Sequence, residues 1–94
     1  METIEIKLKR ELSLNNYRKD VFNVEFCDHV ESENVCWISL NTGNQDFDIK
    51  TLKRAEKVLK SQIDKIIRCE SYFEESYHFG RGKYEGSQLI IKLK

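Results

Sequence analysis

The chain contains no proline, so no residue of that kind breaks a helix or marks a linker within it. It has no apolar run near the ~20 residues that a membrane-spanning helix requires. The opening METIEIKLKR also lacks the apolar stretch of a secretory signal. The expected compartment is therefore the cytoplasm. Cysteine is scarce: Cys27, Cys36 and Cys69 are an odd number without a close CxxC pair, which argues against a disulfide framework and fits a reducing environment. Free, mostly buried thiols are expected. Net charge is lacking too, because 16 basic residues balance 16 acidic ones, and a dedicated nucleic-acid binder carries a positive excess.

What is present is the composition of an ordinary globular chain, 39% hydrophobic and 34% charged, which decides against disorder. At 94 residues there is room for one small domain that hides roughly 60 to 65% of its unfolded surface, so residues 1–94 are read as a single unit. No low-complexity segment or internal repeat interrupts it.

Ile4, Ile6 and Leu8 alternate with Glu5, Lys7 and Lys9, the period-two signature of a half-buried strand. Leu12 and Leu14 keep that parity, and Asn15 and Asn16 then suit a turn. Residues 21–30 read as a second strand, with Phe22, Val24, Phe26 and Val30 on one side and Glu25, Cys27, His29 and Glu31 on an acidic outer side. ESEN closes a hairpin onto VCWISL, and NTGNQ ends the strands. Asp48 is placed as the cap of a helix, with Phe47 and Leu52 as its hydrophobic staple. Leu52, Ala55, Val58, Leu59, Ile63, Ile66 and Ile67 recur at three and four residues, predicting an amphipathic helix of about 20 residues and roughly 30 Å. That helix is expected to continue through the aromatic-rich 70–79 to Gly80, so Ile63→Ala or Ile66→Ala should cost roughly 2 to 5 kcal/mol. QLIIKLK supplies a final strand with Leu89, Ile91 and Leu93 on one face. The fold class is α+β: a mostly antiparallel sheet of three to five strands packed on one long helix, with a C-terminal strand.

Chemistry-bearing residues are each open to a plain reading. Lys50, Lys53, Arg54, Lys57 and Lys60 lie opposite the apolar stripe, which a solvated helix needs in any case, and no aromatic residue sits between them to stack on bases. Cys27, His29 and Cys36 come close across the hairpin, but Cys-x-His with one distant Cys does not match the paired ligand spacing of a structural zinc site. No metal or cofactor is expected. Cys with His29 or His78 could be forced into a nucleophile and base, yet the chain has no GxSxG, HExxH or P-loop. GRGKYEGS lacks a phosphate-binding setting, so a non-enzyme is expected. The acidic stretch 20–34, with Asp20, Glu25, Asp28, Glu31 and Glu33 and no Lys or Arg, is either solvated charge or a docking patch for a basic protein partner. On the second reading Asp28, His29, Glu31 and Glu33 steer the partner, and Trp37 or Tyr17 supplies a buried anchor. The ordinary place for Trp37 is nevertheless the core.

The strands followed by WISLNTGNQDFDIKTLKRAEKVLKSQIDKIIRCESYFEESY resemble small bacterial immunity proteins, in which a β-meander precedes a long helix that begins after an Asp-containing turn. The resemblance covers about half the chain. It implies a cytoplasmic, non-catalytic protein that binds and neutralises a cognate toxin domain of a contact-dependent or polymorphic toxin system. It carries over no binding residues, because those proteins vary most where they bind. A phage-encoded inhibitor of a host defence protein is the same physical class. The alternative is a nucleic-acid-associated regulator that uses the basic helix face, residues 50–60, and a small enzyme with an unrecognised site stands third.

Overall fold

Thr3 caps a helix where alternation predicted a strand. In the computed structural model, which describes residues 3–27, 34–74 and 82–94, the first element is α1, Ile4–Glu11, and Thr3 Oγ1 accepts the Ile6 amide at 3.2 Å. Glu5 in its first turn and Lys9 and Arg10 in its last complement the helix dipole. Ser13 adopts φ +58° and the Leu14 amide reaches back to the Lys9 carbonyl at 2.9 Å, so the chain leaves the helix through a left-handed residue. Ile4, Leu8 and Leu12 are four apart as well as even-numbered, and the helical spacing prevails because it delivers Leu8 and Leu12 to the core together with Leu14. Ile6, which a strand would have buried beside them, is 53% exposed.

The next elements are β1, Phe22–Phe26, and β2, Val35–Leu40, which pair antiparallel as expected of a hairpin. Helix α2 follows over Gln45–Val58. Its cap is Asn44, whose Oδ1 accepts the Phe47 amide at 3.0 Å, so the expected cap Asp48 lies a full turn inside and Phe47 is exposed rather than stapled. Leu52, Ala55 and Leu59 bury the predicted stripe. Beyond Leu59 the helical expectation fails: a single 3-10 turn, Lys60–Gln62, leads into β3, Ile63–Phe73. Ile63, Ile66 and Ile67 fit a short helical stripe and a strand equally. The β-branched and aromatic side chains of this segment suit a pleated surface, and pairing with β4, Tyr84–Leu93, decides the outcome. The helix is therefore 14 residues long, and over Ile63–Phe73 the span expected of it is strand instead. Whether any of 75–79 is helical falls outside the described residues.

The four strands among the described residues form one antiparallel sheet in the order β1-β2-β4-β3, so the fold is α+β as read. The helices cover one side. Across the sheet, the rows Val24–Ile38–Leu89–Cys69 and Phe22–Leu40–Ser87–Ser71 face them. Phe22, Ile38, Leu40 and Leu89 are buried there against Leu8, Leu14, Leu52, Ala55 and Leu59. Cys36 and Ile91 extend the same layer, while Ile66, paired with Ile91, runs out past the cover and is 49% exposed. No helix among the described residues is long and apolar enough to cross a membrane.

Candidate functional site: the open face of the sheet

Side chains alternate across a strand, so the residues between the buried ones emerge on the opposite side. There the register aligns Glu25, Trp37, Ile90 and Arg68 in one row and Asn23, Ser39, Gln88 and Glu70 in the next, with Tyr72 opposite Gly86 beyond them. Neither helix packs on this side. Trp37, the single tryptophan of the chain, stands on an inner strand of the sheet and is 40% exposed. A core position for it is thus corrected: the parity that buries Cys36 and Ile38 turns Trp37 outward.

The polar residues of this face hold one another. Gln88 Nε2 donates to Ser39 Oγ at 3.0 Å, Asn23 Nδ2 to Glu25 Oε1 at 2.8 Å, and the Tyr72 hydroxyl to Glu70 Oε1 at 2.7 Å. Arg68 Nη1 meets the same Glu70 oxygen at 3.2 Å. The Tyr72 hydroxyl, and to a lesser degree Arg68, hold the Glu70 carboxyl below its ordinary value. Next to Tyr72 the face dips into a concavity of about 180 Å³ that Gly86, Gln88, Asp20 and Glu85 help to line. Gly86 has φ +114°, and a Cβ there would lie 2.9 Å from Asn41 Cβ, so only glycine keeps this floor.

On the covered side a chain of hydroxyls ends at a buried acid. Asp48 is fully buried and accepts the Thr42 hydroxyl at 2.7 Å, the Thr42 amide at 3.1 Å and the Tyr84 hydroxyl at 2.6 Å. Tyr84 has a single hydroxyl proton, which goes to Asp48. Ser87 Oγ, 2.7 Å from the Tyr84 oxygen, must then donate to it, and Ser71 Oγ in turn donates to Ser87 at 2.8 Å. Burial, and then the bond to Asp48, push the Tyr84 hydroxyl up to about 12, so it acts as a donor and not as a phenolate base. The network ties the start of α2 to β4 and β3, and it leaves no buried side-chain polar atom unpaired among the described residues.

The sites expected from sequence divide. Asp28, His29, Glu31 and Glu33 lie outside the described residues. Tyr17 is half-buried and packs against the core, whereas Trp37 is on the other side of the sheet, so the two do not form one anchor. Cys27, Cys36 and Cys69 are free thiols, and burial pushes Cys36 up to about 11, which keeps it protonated and unreactive at neutral pH. Among the described residues no group of His, Cys, Asp and Glu is placed to hold a metal ion. Lys50, Lys53, Arg54, Lys57 and Lys60 are all exposed. Sequence reading does not place Ile90 beside Trp37, nor Arg68 and Tyr72 on the same face of the sheet. The alternation of Arg68, Glu70 and Tyr72 with Cys69, Ser71 and Phe73 was the signal that could have found the last two. Comparison with family models, curated proteins and solved structures finds no match for this chain.

Proposed function

We propose that the chain is a non-catalytic protein-binding inhibitor that docks through the open face of its sheet, with Trp37 as the anchor. The observation that carries this reading is Trp37 itself: a large apolar side chain, 40% exposed, set on an inner strand on the sheet face that neither described helix covers and flanked in its row by Glu25 and Ile90. A partly exposed aromatic ringed by polar groups is the composition of an interface hot spot. Glu25 on β1 favours a basic group on the partner, and Asp28, Glu31 and Glu33 follow that strand in the sequence. The resemblance to immunity proteins makes a toxin domain the leading partner and the cytoplasm the compartment.

The test is binding to the partner that copurifies from the native host and is identified by mass spectrometry. Trp37→Ala is expected to weaken that complex about 30-fold or more, the scale of a hot-spot loss of 2 kcal/mol or above, with the melting temperature nearly unchanged. Unchanged affinity would remove the open face as the docking site.

A second reading rests on a different surface. Lys50, Lys53, Arg54, Lys57 and Lys60 are exposed and form no ion pair with another described residue, so the outer side of α2 and the turn after it is a basic strip that suits nucleic-acid phosphates.

A further inference from the structure

Apart from Glu70, which pairs with Arg68, the charges of the open-face strands are sorted by sign across the sheet. Glu25 stands on the β1 edge. Lys65, Arg68 and Lys92 stand on β3 and β4 at the other side, all exposed. Between them, in the row that starts at Glu25 and ends at Arg68, lie Trp37 and Ile90. Three strand spacings separate the ends of that row, about 14 Å at the ~4.8 Å between neighbouring strands. Glu70 takes up part of the Arg68 charge at 3.2 Å, but Lys65 and Lys92, opposite each other in the register, form no ion pair with another described residue.

Resting on the docking role proposed above, we infer that the partner meets this face with a dipolar patch. Its apolar centre covers Trp37 and Ile90, its basic groups lie toward β1, and its acidic groups lie about 14 Å away toward β3 and β4. A partner that is basic throughout would set its charge against Lys65, Arg68 and Lys92, and like charges brought together in an interface are costly. The sheet face thus selects a partner carrying both signs in a fixed order, and the order sets the orientation in which the partner docks.

Trp37 is the single tryptophan, so its fluorescence reports occupancy of this face directly. The probes are three rigid helical peptides of equal length with the same leucine-rich centre. One has lysines at one end and glutamates at the other, one has lysines at both ends, and one has glutamates at both. At low salt the mixed-charge peptide is expected to bind at least ten-fold more tightly than either single-sign peptide, and Glu25→Lys is expected to transfer that preference to the acidic peptide. Equal affinity of all three, each still shifting the Trp37 emission, would overturn the charge order and leave the anchor role of Trp37 standing. A preference for the all-lysine peptide would overturn it as well. No emission change with any peptide would also overturn it, and the effect of Trp37→Ala on the cognate partner would then decide the docking role separately.

Discussion

The two faces of the sheet are built from the same strands and differ in everything else. On β4, Leu89 is fully buried against the helices while Ile90, the next residue, emerges beside Trp37. One face is apolar apart from a row of hydroxyls that leads to the paired acid of α2. The other is a polar lattice with one tryptophan and charges of both signs. The difference teaches that alternation alone separates the residues that hold this fold from those free to recognise something: a substitution on one parity should be read out by denaturant, and on the other by a partner.

Adjacent residues give the largest test of that division. Leu89→Ala is expected to cost about 2 to 5 kcal/mol, as for a fully buried leucine, whereas Ile90→Ala should cost less than about 1 kcal/mol because it leaves no closed cavity. Urea denaturation of the two variants measures both, and equal losses would mean that the open face is covered in solution. Next in size is the buried acid. Asp48→Asn puts an amide N–H₂ among the donors Thr42 and Tyr84, with an expected loss of about 1 to 3 kcal/mol.

The same network makes a prediction in pH. The folded Tyr84 hydroxyl titrates at about 12, above the ordinary 10.0. A raised value favours the protonated folded state, so this contribution is present below pH 10 and is lost as pH rises toward 12. Tyr84→Phe should therefore show a shallower decline of stability across that window than the unaltered chain, and parallel curves would remove the shift. Smaller still is Ile66→Ala, expected to cost under about 1 kcal/mol because the side chain stands half in water beyond the end of α2. A loss above 2 kcal/mol would show that something covers it. The smallest effect expected lies on the helix side: filter binding should find weak attachment of DNA or RNA that disappears near physiological salt. Submicromolar, salt-tolerant binding would favour the basic strip over the open face as the functional surface.

How much of this was legible depended on whether one periodicity was present or two. β2 and the final strand were readable because Cys36, Ile38 and Leu40, like Leu89, Ile91 and Leu93, fit only a period of two over a short β-rich run. The first and middle segments satisfied both periods. Ile4 and Leu8 are both even-numbered and four apart, and Ile63, Ile66 and Ile67 extend the stripe of α2 without a break; in each case tertiary contacts chose, the core for Leu8 and β4 for Ile63. Strand order cannot be read from such patterns, so the pairing of Trp37 with Ile90, and the place of Arg68 at the far end of the same row, are out of reach of the sequence. In the sequence Asp48 stands out only as a candidate helix cap. Its partner Tyr84 lies 36 residues away, a distance over which local rules say nothing.

The strand order also sets a schedule for assembly. β4, the last of the four strands in sequence, occupies an inner place in the sheet, between β2 and β3. As the chain leaves the ribosome, β1 and β2 can zip into a hairpin at once, but β3 emerges with no neighbour and must wait for β4 to join it to β2. Long-range pairing of this kind slows folding relative to a meander built in order. Until it completes, the β2 edge beside Trp37 and the β3 edge beside Ile66 both offer unpaired backbone to other chains. Crowded synthesis is therefore the moment at which this protein is most exposed to misassembly, and a variant that delays the arrival of β4 should lower soluble yield even where the finished fold is unharmed.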